Sequence, residues 1–419
     1  MAIDEAEVER QVLEWFEGAW DPDRSLLEWR DRLVESGWAV PSWSPDWFGR
    51  GLPAWSDRVA RRALRAAGGV ATPLGGGFGL AAPTMYDHAS DELKRTFLRR
   101  TLTGELTWCQ LFSEPGAGSD LAGLQTTAVL DGDEWVVNGQ KVWNTSADHA
   151  DMGILVARTD WGVAKHAGLT YFVIEMDQPG IEVRPIRQMN EHASFNEVFL
   201  SDARIPAANV VGAVGDGWKV ARGTLAHERS FDSNREERFD PDATGRVIAE
   251  ARQEAAEHAR TYVWYPQRQG RLDLVLDRLR DGHADALDPA SAAVVRDRAT
   301  ELVAFHRAAD LTAGRARAAR ELGRPPGSEG SIGKLALSGV ARRCGLVHTA
   351  LGGARGMLRD GADPDDRVVA EVLVSTPAQS IAGGTDEIQR NILGESVLGL
   401  PREPAPDRGR PFREVDRPS

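Results

Sequence analysis

Two stretches decide the fold of this chain: Trp108-Cys-Gln-Leu-Phe-Ser-Glu-Pro-Gly-Ala-Gly-Ser-Asp120 and Lys141-Val-Trp-Asn-Thr-Ser-Ala147. The first begins as a strand-like apolar run and breaks at Pro115 into a glycine turn. Glycines let successive backbone N–H groups point at one anion, such as a pyrophosphate. Ser113 and Ser119 add hydroxyls beside those amides, so the turn is a candidate anion site.

The second stretch closes a segment, residues 126–142, that follows a β-hairpin pattern. Its turn signals are Asp131-Gly132-Asp133 and Asn138-Gly139. The segment ends on Trp143 and Thr145, and a strand presents such i and i+2 side chains on one face. An indole and a hydroxyl on one face can cover a planar ring and bond one of its nitrogens. Each feature alone also suits ordinary turns and core packing, but the two stretches in this order favour a flavin site.

The periodicity of apolar residues divides the chain into helical, β and helical parts. Apolar residues recur at spacings of three and four residues through the first hundred positions, and again after Gly217. Between Leu106 and about Val211 the pattern changes to period two with short apolar runs. We expect an N-terminal all-α domain over 1–105, a β-barrel-like domain over 106–216, an α-helical bundle over 217–400 and a tail over 401–419. Residues 282–289 and 323–327 are predicted loops, and the proline-rich tail is expected to be disordered or strapped down.

Composition excludes several classes of function. The 419 residues carry a net charge of −13, which argues against nonspecific nucleic-acid binding. No apolar run reaches the ~18 residues of a membrane helix, and the first residues show no signal region, so we expect a cytoplasmic protein that does not bind membranes. Two cysteines, Cys109 and Cys344, are too few for a disulfide framework or a metal site. They are predicted to be buried thiols.

Over nearly its whole length the chain resembles the acyl-CoA dehydrogenase family. The residues that carry the resemblance are Gly37-Trp38-Ala39-Val40-Pro41, Ser113-Glu114-Pro115-Gly116-Ala117-Gly118-Ser119-Asp120 and Gly383-Gly384-Thr385-Asp386-Glu387-Ile388-Gln389-Arg390. The second is similar to the family's Thr-Glu-Pro-x-Ala-Gly-Ser-Asp signature. The resemblance implies an α+β multi-domain fold that holds FAD. It also implies removal of two hydrogens from an acyl thioester, with a carboxylate taking the α-proton and flavin N5 the β-hydride.

The catalytic base departs from the best-known family members, which carry a glutamate where this chain has Gly383. Its backbone N–H can still stabilise the enolate at the thioester carbonyl. Some relatives, including the isovaleryl and long-chain enzymes, place the base in a Leu-x-x-Glu-Arg motif, and Glu228 of Leu225-Ala226-His227-Glu228-Arg229 matches it. His227 is the adjacent alternative. Successive helical residues point about 100° apart, so His227 and Glu228 should not both face the flavin.

The resemblance also implies which residues contact the ligands. The substrate contacts would be Ser119 and Arg229, and the cofactor contacts would be Gln110, Leu111, Ser113, Gly118, Ser119, Trp143, Thr145, Gly352, Gly353, Thr385 and Glu387. The family's Arg-x-x-Phe-Gly segment, which holds part of FAD across the dimer, has no clear counterpart between Arg260 and Arg298. That absence puts the contacts to the adenine end of FAD, and the subunit arrangement, in doubt.

Three functions remain open. The leading one is dehydrogenation of an acyl-CoA whose acyl group is branched, cyclic or otherwise bulky. The electrons would then pass to an electron-transfer flavoprotein or another acceptor. The second keeps the flavin scaffold for an acyl-carrier-protein thioester, or for an oxidase or monooxygenase reaction. In the third, the chain is the structural subunit of a heteromeric dehydrogenase. The family's subunit contacts predict a homodimer or homotetramer, with a heteromer as the alternative.

Overall fold

The computed structural model describes residues 3–228, 239–321, 329–357, 364–404, 407 and 409–415. Contacts divide the chain into two units. Unit 1 comprises residues 1–186, 193–262 and 406–419, and unit 2 comprises residues 187–192 and 263–405. The expected fold, with N-terminal helices, a middle β domain and C-terminal helices, is confirmed.

Unit 1 begins with helices that bury one apolar stripe each. They are α1 (Glu5–Ala19), α2 (Leu26–Glu35), α3 (Ser56–Ala66), α4 (Ala82–His88) and α5 (Asp91–Thr103). The helix starts follow capping chemistry: Ser25 and Glu28 form a reciprocal capping box on α2, and Ser90 caps α5. Trp29 is fully buried in this core, and its indole N–H donates to the Val70 carbonyl at 2.7 Å.

The middle of unit 1 is a twisted sheet. In chain order its strands are β1 (Trp108–Leu111), β2 (Thr127–Asp131), β3 (Glu134–Thr145), β4 (Met152–Arg158), β5 (Leu169–Glu175), β6 (Ile181–Ile186) and β7 (Phe195–Pro206). The described strands are ordered β1-β4-β2-β3-β7-β6, and β5 pairs with β4. Strand β4 is buried along its whole length, as its continuous apolar run predicts, because neighbours cover both of its faces.

One predicted turn is wrong. The hairpin of β2 and β3 turns at Asp131–Asp133 as expected, but Asn138 and Gly139 lie inside β3. The register against β7 shifts between Val137 and Gly139, which marks a β-bulge. Gly139 is needed there because a Cβ would stand 2.3 Å from the Thr126 hydroxyl oxygen. A bulge and a turn demand similar residues, so the sequence signal was correct about the irregularity and not about its kind.

Two further helices complete the described part of unit 1: α6 (Gly217–Glu228) and α7 (Arg246–Thr261). Gly217 starts α6 where the helix meets β5, since a Cβ would lie 2.6 Å from the Leu169 carbonyl carbon. Glu250 and Glu254 of α7 tie that helix to α2, where Glu254 pairs with the buried Arg30.

Unit 2 consists of helices. They are α8 (Tyr265–Arg268), α9 (Leu272–Arg280), α10 (Pro289–Glu321), α11 (Glu329–Gly352), α12 (Pro364–Gln379) and α13 (Asp386–Ile392). Its core joins the predicted stripes of α10 and α11 through residues such as Val295, Leu302, Cys344 and Val347. The sequence predicts one apolar stripe from Val295 to Ala309 and another from Ile332 to Leu351, and each extends too far at one end. Ile332 is 37% exposed, and Leu335 and Ala309 are only half-buried.

The remaining expectations fall on loops, thiols and the tail. Residues 282–288 form turns before α10, as predicted, whereas the predicted loop at 323–327 lies outside the described residues. Both cysteines are buried, and burial raises the pKa of each thiol to about 12. Part of the tail is strapped onto unit 1 through Phe412, which is 3% exposed. Within the described residues no helix is long and apolar enough to cross a membrane.

Candidate active site

Hydrogen bonds join the two stretches from which the sequence predicts a flavin site. The Val142 backbone N–H donates to the Ser113 carbonyl at 2.9 Å. The Asn144 side-chain amide donates to the Gln110 carbonyl at 2.7 Å. The end of β3 therefore lies alongside the end of β1 and the glycine turn that follows it.

A buried ion pair holds this junction together. The Lys141 ammonium is fully buried and donates to the Glu114 carboxylate at 2.8 Å, and also to the Phe112 and Val156 carbonyls. The other contacts of Glu114 are the backbone N–H groups of Gln125 and Thr126. Burial alone would raise the pKa of Glu114, but the Lys141 charge and these donors hold it below its usual value. The Glu114 carboxylate is therefore ionised and fixes the two ends of the loop from Glu114 to Thr126.

The glycine turn is open on its outer side. Glu114 and Ala117 exchange two backbone hydrogen bonds of 3.1 and 3.0 Å, which close the turn on itself. Gly116 and Gly118 leave open space where a Cβ would stand, and Gly118 and Ser119 are exposed. Exposed amides and hydroxyls on a short, rigid turn form a suitable cradle for a phosphate group.

Trp143 occupies an irregular position beside this turn. Its φ is +64°, a left-handed conformation that is unusual for a bulky residue, and the β3 register shifts between Lys141 and Asn144. The bulge turns Asn144 inward, where it is buried, and leaves the Trp143 indole 58% exposed. The indole meets the Phe195 ring edge to face at 5.7 Å. Strained backbone that presents a large aromatic ring to solvent is characteristic of functional sites.

The residues of unit 1 fit a flavin nucleotide in their chemistry. The open turn offers backbone N–H groups and the Ser113 and Ser119 hydroxyls for phosphate, and the exposed Trp143 and half-buried Thr145 offer a ring face and a hydroxyl. Leu111 differs from expectation, because its side chain is fully buried in the sheet core and only its backbone remains for a cofactor. The contacts themselves stay predictions.

The predicted base lies at the last described position of α6. Glu228 is half-buried there, and Arg229, the predicted substrate contact, lies outside the described residues. The neighbouring His227 is already engaged, since its Nε2 lies 2.8 Å from an Asp87 carboxylate oxygen of α4. That contact directs one edge of the His227 ring toward α4.

In unit 2, the predicted glycine turn precedes α13. Gly383 and Gly384 have φ values of +68° and +85°, and the Thr385 hydroxyl caps α13 by accepting from the Ile388 N–H. The buried Asp386 carboxylate anchors the turn through two ion pairs. One oxygen lies 3.4 Å from the Lys334 ammonium, and the other lies 3.1 Å from the Arg342 guanidinium. Sequence reasoning missed these three anchors, because charged residues on helices are usually exposed.

The other predicted residues of unit 2 are exposed or lie at helix ends. Gly353 has φ +51° just after α11, and Gly352 and Gly353 leave open space around them. Glu387 is exposed and pairs with Arg390 one turn along α13. Between Arg260 and Arg298, the Tyr265 ring lies under the Arg268 guanidinium at 4.2 Å. No group of three potential metal ligands occurs among the described residues.

Comparisons with known proteins match most of the length of this chain. Three family profiles follow one another: the acyl-CoA dehydrogenase N-terminal domain over residues 3–105, its middle domain over 109–203 and its C-terminal domain over 249–398. Acyl-CoA dehydrogenase IpdE1 of Mycobacterium tuberculosis is 37% identical over 380 residues, which cover 90% of this chain and 88% of the relative.

A longer relative and a solved structure are also similar to this chain. Acyl-CoA dehydrogenase FadE34 of Mycobacterium tuberculosis is 37% identical over 88% of this chain, but the match spans only 46% of FadE34. The crystal structure of the ChsE4-ChsE5 complex from Mycobacterium tuberculosis superimposes with a TM-score of 0.56 at 26% identity, covering 96% of this chain and 100% of that one.

Proposed function

Since the chain belongs to the acyl-CoA dehydrogenase family, and is an FAD-binding oxidoreductase that acts on CH–CH bonds, we propose that its substrate is an acyl-CoA thioester dehydrogenated at the α and β carbons. The observation that carries the proposal is the junction of the glycine turn with the Trp143 bulge. It gathers phosphate donors and an exposed ring face on a rigid part of one sheet.

Different residues of the chain have different roles in the proposed reaction. Bound FAD would supply the acceptor for the β-hydride. Glu228 takes the α-proton, and the Gly383 N–H donates to the thioester carbonyl, where negative charge develops. The turn from Ser113 to Ser119 would hold the phosphates of FAD, and Trp143 would shield its ring from water.

The finer roles follow the sequence match. We propose Glu228 over His227 because only Glu228 has the motif match. The substrate contacts would be Ser119 and Arg229, and the remaining cofactor contacts Gln110, Leu111, Gly352, Gly353, Thr385 and Glu387. A branched, cyclic or bulky acyl group stays part of the proposal.

The experiment is anaerobic bleaching of the bound flavin by a panel of acyl-CoA thioesters. Glu228→Gln is nearly isosteric but cannot accept a proton, so we expect the bleaching rate to fall by about 10²- to 10⁴-fold, with FAD content unchanged. His227→Asn is the matched control and should bleach at close to the wild-type rate. Near wild-type bleaching by Glu228→Gln, together with a slow His227→Asn, would move the base to His227.

We further propose that the chain self-associates and passes its electrons to an electron-transfer flavoprotein or a similar acceptor in the cytoplasm. Exposed apolar side chains of unit 2 support association, among them Leu337, Leu346, Ile381 and Leu398. Light scattering of the flavin-loaded protein should give a dimer or tetramer. A second candidate is a heteromer, which the paired chains of the ChsE4-ChsE5 structure favour. An inactive, flavin-free chain that gains activity only with a partner would establish it.

A further inference from the structure

The last described segment of the chain packs on the β domain. We call residues 409–415 the strap. The Phe412 backbone N–H donates to the Val163 carbonyl at 2.8 Å, and the Arg413 N–H donates to the Trp161 carbonyl at 3.0 Å. The strap belongs to unit 1, and it lies beyond residues 249–398, where the C-terminal family domain matches.

Phe412 covers a buried guanidinium. The Arg158 carbon Cζ lies 3.7 Å from the Phe412 ring centroid, and both side chains are almost fully buried. Arg158 donates to three carbonyls, those of Ala122 at 2.7 Å, Leu124 at 3.2 Å and Lys165 at 3.0 Å. An aromatic ring above a desolvated guanidinium stabilises the cation and keeps water from competing for those carbonyls.

The carbonyls that Arg158 binds belong to two loops at the candidate cofactor site. Ala122 and Leu124 directly follow the glycine turn, which ends at Asp120. Lys165 lies in the loop beneath the strap, and its ammonium contacts both Asp120 carboxylate oxygens at 2.7 and 2.8 Å. The Arg158 and Lys165 contacts therefore connect the end of the glycine turn to the loop on which the strap packs.

We propose that the strap positions the glycine turn, with Phe412 and Arg158 as positioning residues that act on the turn from Ser113 to Asp120. The strap excludes water from Arg158, Arg158 holds the backbone after the turn, and Lys165 holds Asp120. The turn thereby keeps its phosphate donors in place before any ligand binds. The effect on cofactor and substrate rests on the proposed function, whereas the effect on the backbone does not.

Hydrogen exchange of the full-length protein, measured by mass spectrometry, tests the backbone effect. Phe412→Ala should speed exchange of the amides in 119–124 and 161–168 by about tenfold, while α13 in unit 2 is unchanged. Phe412→Leu keeps most of the apolar volume and should give an intermediate increase even if Phe412→Ala does not fold. Arg413→Ala removes only a side chain that is 66% exposed and is the control.

The second measurement is FAD release and steady-state kinetics of the same variants. We expect Phe412→Ala to lose FAD several-fold faster and to raise KM, with kcat within about twofold, because the turn is loosened and the base is untouched. Faster exchange confined to 409–415, with 119–124 unchanged, would overturn the proposal. Faster exchange at 119–124 in a protein that never binds FAD would uphold the positioning and refute the proposed function instead.

Discussion

Replacing Lys141 with methionine tests the buried pair that holds the candidate site together. The change keeps the length of the side chain but removes the charge, so the Glu114 carboxylate, 9% exposed, loses its buried cation. The Phe112 and Val156 carbonyls also lose their donor. Breaking one side of a buried ion pair typically costs about 3–5 kcal/mol. Two remaining backbone donors to Glu114 place the expected loss at about 3 kcal/mol, the lower end of that range.

The dependence of this loss on pH has a definite sign. In the wild type the pKa of Glu114 is held below the ordinary value of 4.5, so its contribution to stability is present above that pH and is lost as the pH falls further. Without Lys141, burial dominates and raises the pKa of Glu114. The variant should therefore gain stability as the pH falls from about 8 to about 5, where the wild type does not.

Urea unfolding at several pH values measures both effects. The double variant Glu114→Gln/Lys141→Met is the matched control, because it removes both charges and its amide oxygen can still accept from one of the two backbone N–H groups, which bond different carboxylate oxygens in the wild type. It should recover about 1–2 kcal/mol relative to Lys141→Met alone. A loss below about 1 kcal/mol for Lys141→Met, with no dependence on pH, would refute the reasoning.

Substitutions at three glycines give further expectations, each measured by urea unfolding. Gly217→Ala should cost about 1–3 kcal/mol because its Cβ would collide with the backbone of Leu169 and Thr170; an unchanged midpoint would contradict the close packing of α6 on β5. Gly18→Ala is its control at an exposed position of α1 and should stabilise the protein by about 0.5 kcal/mol. Gly383→Ala should lower the free energy of unfolding by about 1–2 kcal/mol, because its φ of +68° is left-handed. Gly383→Glu should lower it by the same amount, since open space surrounds the position. An unchanged free energy of unfolding for Gly383→Ala would disprove the left-handed turn.

The sequence predicted the features that depend on local pattern. Periodicity located the helices and the sheet, and β4 and β5 fall where the apolar runs predicted them. The two stretches that favour a flavin site in the sequence lie together, joined by the Val142 to Ser113 hydrogen bond. The helices and strands need only a pattern along the chain.

Features that depend on distant partners were missed. A lysine in a strand is normally exposed, so nothing local indicated that Lys141 is fully buried by Glu114 and two carbonyls. The strap was foreseen only as one of two options for the tail, since its partner Arg158 lies about 250 positions earlier in the chain. The Trp143 bulge was missed because alternation assumes an unbroken register.

The most direct measurement of the central claim is the mass of the product from a single anaerobic turnover. FAD-loaded protein is mixed with an acyl-CoA thioester that bleaches its flavin, and the thioester is analysed by mass spectrometry. We predict one product per bleached flavin, lighter than the substrate by two hydrogen atoms and still attached to CoA. A product that has gained oxygen after air is admitted, or flavin bleaching without any loss of hydrogen from the thioester, would contradict α,β-dehydrogenation.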